Sequence, residues 1–172
     1  MLWVDKNGIT LGQVAMLTCA MVVFASLSMT VLGTRFTVTY PTFKLQCIKD
    51  WNMGIIDKFD RSHVQLGEPY AFAARNVPGR TDGAMLGKFF VATALDTVEV
   101  TPDLQVTVNG KSYAQGVPHA MRLRVQPGYF VRTNVLDFGR FWGLGDAVLS
   151  YDSRYWGSID ETQVIGRLIR LF

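Results

Sequence analysis

The chain has 172 residues, of which 49% are apolar and 18% charged, and its 17 basic and 14 acidic residues leave a net charge of +3. This length allows one domain with a real hydrophobic core, and the low charge density excludes a disordered tail, a coiled coil and a polybasic arm for nucleic acid. Two cysteines cannot build a disulfide framework or a four-ligand zinc site, and His63 and His119 add few metal ligands. We therefore expect no metal, no cofactor and no nucleic-acid partner.

The N-terminal part of the chain holds a long uncharged segment. Between Lys6 and Arg35 there are 28 residues without a charge, and residues 9–33 read ITLGQVAMLTCAMVVFASLSMTVLG. A helix that crosses a bilayer needs about 20 apolar residues, whereas the apolar region of a cleaved signal peptide has only about 7–15. The length predicts a retained transmembrane helix over residues 9–33, with a buried core helix as the alternative.

The charges that flank this segment bear on its orientation. Lys6 precedes it, while Arg35, Lys44 and Lys49 follow it. Positive charge collects on the cytoplasmic side of a membrane, so a simple count mildly favours an N-terminus outside the cytoplasm.

After a short juxtamembrane lead-in, residues 34–43, the patterns are those of strands and turns. Residues 97–108 contain two alternating runs, and Asn109-Gly110 is a strong hairpin signal that follows them. Residues 121–132 repeat the pattern around Pro127-Gly128. Because no segment after residue 34 keeps a period of 3.6, we predict a mainly β domain over residues 44–172.

The two cysteines are separated by the predicted membrane segment. Cys19 lies inside it and Cys47 follows it, so the two should not pair. Cys47 is then a lone thiol in the β domain. Burial in the core is the ordinary explanation for such a residue, and use of the thiol in chemistry is the alternative.

Lys88 stands in the apolar segment GKFFVATALDTVEV. Strand alternation places it on the same face as Phe90 and Ala92. If that face is buried, desolvation favours a neutral amine that can act as a base. In the opposite register Lys88 faces solvent, and Phe89 and Val91 fill the core.

A third cluster, GLGDAVLSYDSRYWG, contains Asp146, Ser150, Asp152 and Arg154. The spacing of Asp152 and Arg154 predicts a bidentate ion pair that pins a loop. The same residues also suit a surface turn without a function.

Taken in this order behind one apolar segment, these pieces resemble the type I signal peptidase family of Ser-Lys proteases, and more narrowly its branch in plasmid conjugation, whose members process or cyclise pilins. Residues 151–172, YDSRYWGSIDETQVIGRLIRLF, follow the family's Ser-x-Asp-Ser-Arg-x-Trp-Gly box and its Ile-Gly-Arg close. Lys88–Val100 resembles the family's box around the catalytic lysine, and residues 64–72, VQLGEPYAF, loosely copy an Arg-Gly-Asp-x-Val-x-Phe strand.

The resemblance implies a role for each candidate residue. Cys47 takes the place of the nucleophilic serine, 41 residues before Lys88 as the base. Ser150 would orient Lys88, while Asp146 and the Asp152–Arg154 pair would support the site. The chain departs from the family pattern at the following positions: Cys47 for serine, Phe89 for arginine, Ala94 and Leu95 for Pro-Gly, Ala147 for asparagine, and Leu45 for a serine that helps to bind the oxyanion.

The implied protein is a single-pass protein of the bacterial inner membrane. It would have a cytoplasmic N-terminus over residues 1–8 and a periplasmic catalytic domain, and would mature or cyclise a pilin precursor through a Cys47 acyl-enzyme. Its partners would be this precursor, inner-membrane lipid and components of a conjugation apparatus. Hydrolytic removal of a leader peptide and an inactive assembly subunit stay open as alternatives, as does a Cys-His hydrolase that uses His63 or His119.

Overall fold

The structure is a computed structural model that describes residues 10–40, 47–61 and 63–171. The predicted N-terminal stretch 1–8, Pro41, Lys44 and Leu45 lie outside these residues. The chain divides into two compact units, Met1–Phe36 and Thr37–Phe172.

The first unit is dominated by one helix, α1 (Leu11–Arg35). Thr10 caps its N-terminus, because its hydroxyl accepts from the Gln13 N–H while the Gln13 side chain accepts from the Thr10 N–H. Its 25 residues span about 37 Å at 1.5 Å per residue, which exceeds the thickness of the hydrocarbon core of a bilayer. None of the residues of α1 is buried, and the helix is long and apolar enough to cross a membrane.

Three hydroxyl side chains of α1 form hydrogen bonds within the helix. The hydroxyls of Thr18, Ser26 and Thr30 each donate to a backbone carbonyl four residues earlier, at 2.8–2.9 Å. These bonds satisfy the hydroxyls within the helix itself, which makes them tolerable in an apolar environment. The helix begins and ends two residues later than the segment predicted from the sequence.

The second unit is mainly β, as predicted. The strands of the described residues are β1 (Phe36–Thr39), β2 (Gly54–Asp57), β3 (Pro69–Ala73), β4 (Met85–Ala92), β5 (Thr97–Val100), β6 (Gln105–Val108), β7 (Lys111–Gln115), β8 (Arg132–Val135), β9 (Arg140–Leu144), β10 (Ile159–Asp160) and β11 (Val164–Arg170). A short helix, α2 (Ser153–Trp156), precedes β10. The strands form a seven-stranded sheet in the order β1-β2-β11-β3-β4-β9-β10 and a four-stranded sheet in the order β7-β6-β5-β8.

The four-stranded sheet follows directly from the sequence pattern. In β5 and β6 every second residue is a buried valine, so each strand presents one face to the core. Asn109 and Gly110 both have positive φ, at 49° and 80°, and they connect β6 to β7 as the hairpin signal predicts. These valines pack with Leu144 and Trp142 of the seven-stranded sheet in the largest core cluster.

The strand predicted over the first half of residues 121–132 is wrong. Residues 121–125 form turns, Pro127–Phe130 form a 3₁₀ helix, and β8 begins only at Arg132. The backbone groups here bond locally, with the Leu123 N–H on the His119 carbonyl and the Val125 N–H on the Ala120 carbonyl. Because their hydrogen bonds are satisfied within the turn, these residues need no partner strand.

Candidate functional site

Lys88 lies in β4, a central strand with β3 on one side and β9 on the other. Its side chain is 1% exposed, and Phe90, which follows it by two residues on the same face of the strand, is fully buried. The predicted alternation does not extend to Ala92, because the register of β4 against β9 shifts between Phe90 and Ala92. The buried register is therefore the one that the chain adopts. Lys88 Nζ donates a hydrogen bond to Ser150 Oγ at 3.1 Å, so its amine has a polar partner inside the core.

Cys47 is partly buried and lies against the end of the Lys88 side chain. Burial raises the pKa of the thiol, but the charge of Lys88 and hydrogen bonds from Lys88, the Tyr151 backbone and Ser150 act in the opposite direction and prevail. The pKa of Cys47 is therefore lowered from its ordinary value. Such a thiol forms a thiolate more readily than a free cysteine does.

The lowered pKa makes a direct prediction for alkylation. Iodoacetamide reacts with the thiolate, so its rate at Cys47 should rise with pH about a midpoint below that of the same cysteine in the urea-unfolded chain. Peptide-level mass spectrometry separates this signal from Cys19, which is exposed on α1. Equal midpoints in the folded and the unfolded chain would contradict the contact between the thiol and Lys88.

The segment that carries Ser150 is held by a buried ion pair. Arg154 Nε donates to Asp152 Oδ1 and Arg154 Nη2 to Asp152 Oδ2, both at 2.8 Å, which is the predicted bidentate geometry. Asp152 is fully buried and also accepts from the Gly145 N–H at 3.2 Å. Arg154 Nη2 donates in addition to the Ser150 carbonyl at 3.2 Å. The pair thus fixes the backbone next to Ser150.

Asp146 connects the loop after β9 to the segment that carries Cys47. Its Oδ1 accepts from the Lys49 N–H at 2.8 Å, across 97 residues of chain. The six candidate residues are thus brought to one place. Cys47 and Lys88 are in contact and Ser150 lies against both, while Asp146 lies in the loop after β9, Asp152 caps α2 and Arg154 lies in α2. The two histidines are not among the groups that act on the Cys47 thiol.

Gly145 belongs to this site, although the sequence marks it only as a loop residue. A methyl group at this position would overlap the carbonyl oxygen of Cys47 and the hydroxyl of Ser150. The sequence signal is the Gly-Leu-Gly-Asp run before Asp146, but nothing in that run shows which distant backbone approaches it.

Replacing Gly145 by Ala should therefore push Cys47 and Ser150 apart. We expect a loss of stability of about 1–3 kcal/mol from overpacking, and a Cys47 alkylation midpoint moved to higher pH. Gly128→Ala is the matched control, because its added methyl group meets no atom within 4 Å. A Gly145→Ala protein with the stability and alkylation profile of the wild type would contradict the close approach.

A cleft of about 300 Å³ opens beside this site. Ile48 and Lys49, which follow the nucleophile candidate, line it together with Phe89, which follows Lys88, and with Asp146. Trp51 and Leu168 add apolar surface. Among the described residues no group of three histidine, cysteine, aspartate or glutamate side chains could hold a metal ion. The arrangement thus offers a thiol of lowered pKa, an amine in contact with it and an adjoining cleft.

Comparison with known proteins identifies the family. Residues 9–172 match the family described as signal peptidase, peptidase S26. The chain belongs to this signal peptidase family. Membership supports peptidase activity at a membrane, and α1 is compatible with single-pass anchoring of such a peptidase.

The chain is also similar to a solved structure of a signal peptidase. A crystal structure of signal peptidase I from Enterococcus faecalis V583 is 22% identical to it, with a TM-score of 0.39, and the match covers 60% of this chain and 95% of the other. None of the curated proteins matches the chain.

Proposed function

We propose that this signal peptidase family member cleaves a protein precursor with a Cys-Lys pair, Cys47 as nucleophile and Lys88 as general base and acid. The observation that carries the proposal is the buried Lys88 amine in contact with both the Cys47 thiol and the Ser150 hydroxyl. The proposed resting site is a thiolate beside an ammonium. The direction of the Cys47 pKa supports it, since the charge and the hydrogen bond of Lys88 lower that pKa against the opposing effect of burial.

The reaction follows from this resting state. The Cys47 thiolate attacks the scissile carbonyl, and backbone N–H groups, including that of Cys47, bind the oxyanion. As the C–N bond breaks, Lys88 gives its proton to the leaving amine, and a thioester to Cys47 remains. Water or a second amine then attacks the thioester, Lys88 takes its proton, and Cys47 leaves as a thiolate. Ser150, held by the Asp152–Arg154 pair, keeps Lys88 aligned in both steps.

The proposed substrate is a conjugative pilin precursor, and the proposed product is cyclic. The resemblance to the conjugation branch supports this substrate class, and the chemistry of sulfur supports the cyclic product. A thioester reacts well with amines in comparison with water, so an acyl-enzyme on Cys47 favours attack by the N-terminal amine of the same precursor. Partners from the conjugation apparatus would deliver the precursor.

Mass spectrometry of the product tests this proposal. A purified pilin precursor is incubated with the detergent-solubilised full-length protein, and a cyclic product is lighter than the linear one by one water. We expect the cyclic product with the wild type, mainly linear product with Cys47→Ser, whose ester is less prone to attack by amines, and no product with Cys47→Ala. If the wild type yields only linear product, the protein is a hydrolytic peptidase and the proposed cyclisation is wrong. If no product forms, and if the alkylation rate of Cys47 does not change when Lys88 is replaced, the protein is better described as an inactive assembly subunit.

We place the N-terminus in the cytoplasm and the β unit in the periplasm, at the inner membrane of a bacterium. This orientation follows the resemblance and runs against the count of basic residues. A basic residue in the last turn of α1, Arg35, suits contact with anionic lipid headgroups instead. A reporter enzyme fused after Phe172 and active only outside the cytoplasm should be active. Activity only of a cytoplasmic reporter at the same position would reverse the orientation.

A further inference from the structure

His119 is a buried polar residue to which the proposed reaction gives no role. It is 6% exposed and lies in the turn before the 3₁₀ helix Pro127–Phe130, far along the chain from Cys47 and Lys88. Its imidazole Nε2 lies 2.9 Å from the carbonyl oxygen of Leu149. A carbonyl oxygen only accepts hydrogen bonds, so Nε2 carries the hydrogen and donates it.

The same ring also contacts the residue on the other side of Ser150. The His119 and Tyr151 rings meet edge to face with centroids 5.5 Å apart. The ring of Tyr155 is similarly placed at 5.3 Å, and its hydroxyl accepts from the backbone N–H of His119 at 3.2 Å. His119 thus touches both neighbours of Ser150 in the chain, Leu149 by a hydrogen bond and Tyr151 by its ring.

Two arginines lie near the rings of His119, Tyr151 and Tyr155, but neither donates to the Leu149 carbonyl in place of His119. The Arg122 guanidinium lies 5.3 Å from the Tyr151 ring and the Arg154 guanidinium 5.6 Å from the Tyr155 ring. Arg154 Nη2 reaches the carbonyl of Ser150, whereas the donor to the carbonyl of Leu149 is His119. The segment is therefore held at successive carbonyls by two different side chains.

We propose that His119 is a positioning residue, which fixes the segment Leu149–Tyr151 so that the Ser150 hydroxyl and the Tyr151 N–H meet Cys47 and Lys88. This inference rests on the proposed function, in which the contact between Cys47 and Lys88 is the reactive one. Loss of the His119 bond frees the Leu149 carbonyl and lets both groups withdraw from the thiol. The thiolate then loses two of the hydrogen bonds that favour it.

The test is the pH profile of Cys47 alkylation by iodoacetamide in the full-length protein. His119→Phe keeps a ring but removes the donor, and we expect its midpoint to move to higher pH and its rate of pilin-precursor cleavage to fall. His119→Gln carries an amide N–H at nearly the reach of Nε2 and should restore the wild-type profile. His119→Asn, whose amide is one methylene shorter, should not.

Gln163→Leu is the matched control for a merely structural effect. Gln163 is 8% exposed and its Nε2 donates to the carbonyl of Ala73 at 2.8 Å, which is a bond of the same kind at a similar depth. We expect this variant to lose stability without moving the Cys47 midpoint. An equal shift in Gln163→Leu, or an unshifted midpoint in a folded His119→Phe, overturns the proposal.

Two further comparisons keep the test decisive. If His119→Phe does not fold, identical midpoints for His119→Gln and His119→Asn overturn the proposal in its place. Lys88→Met separates this inference from the proposed function. If Lys88→Met moves the midpoint and His119→Phe does not, the Cys-Lys pair stands and the role of His119 falls. If neither variant moves the Cys47 alkylation midpoint, the proposed Cys-Lys pair is contradicted as well.

Discussion

Replacing Lys88 by Met should lower the rate of precursor cleavage by about 10²–10⁴-fold, the usual contribution of a general acid-base group. Met fills a similar buried space without a charge, so β4 and its pairing with β3 and β9 should persist. The Cys47 thiol then keeps its burial, which raises its pKa, and loses the cation that lowers it. The alkylation midpoint should therefore move to higher pH in the same protein that loses cleavage.

Lys111→Met is the matched control for Lys88→Met. Lys111 lies in β7 of the other sheet, where it is exposed and its ammonium stands 5.2 Å from the centre of the Tyr113 ring. Removing this charge should change neither the cleavage rate nor the alkylation profile. Full cleavage by a folded Lys88→Met protein would rule out Lys88 as the base.

Replacing Arg154 by Met should lower the free energy of unfolding by about 3–5 kcal/mol, because it leaves the Asp152 carboxylate buried without its cation. The carbonyls of Ser150 and Gly116 lose a donor at the same time. Urea unfolding of the full-length protein in detergent, followed by tryptophan fluorescence, measures the loss. Adding Asp152→Asn should recover part of it, since the uncompensated charge is then removed.

An exposed ion pair of the same type provides the comparison. Arg140 Nη2 lies 3.5 Å from Asp160 Oδ2, with both side chains partly open to solvent. Arg140→Met should cost about 0–1 kcal/mol, because an exposed pair gains little over its separate hydration. Similar losses for the two arginine variants would show that the Asp152–Arg154 pair contributes no more than a surface contact.

Some of this fold could be read from the sequence because its signals are local. An uncharged run of 28 residues specifies α1 by length alone, and Asn109-Gly110 between alternating valines specifies the hairpin of β6 and β7. Residues 121–125 mislead for the same reason. Their alternation looks like a strand, yet their backbone bonds close within a turn, and the pattern carries no information on that choice.

The site itself depends on contacts that local patterns do not encode. Alternation predicted which residues share a face with Lys88 but not which face is buried, because burial depends on distant residues, such as Ser150, that pack on that face. The pairing of Cys47 with Lys88 came from the resemblance to a family and not from spacing. The close approach at Gly145 and the contacts of His119 could not be predicted, since each involves a backbone atom of another segment. The sequence offered His119 only as the base of a Cys-His hydrolase.

The hydrogen bond from Lys88 to Ser150 determines where the hydroxyl hydrogen of Ser150 can point. In the proposed resting state Lys88 is an ammonium, which only donates, so the Ser150 oxygen accepts from Lys88 and the single hydrogen of Ser150 is left to point at Cys47. Once Cys47 carries an acyl group, its sulfur is a poor acceptor and that hydrogen is released. The serine can then turn toward the incoming amine or water. The orientation of the Ser150 hydroxyl next to Lys88 would thus depend on whether Cys47 carries an acyl group.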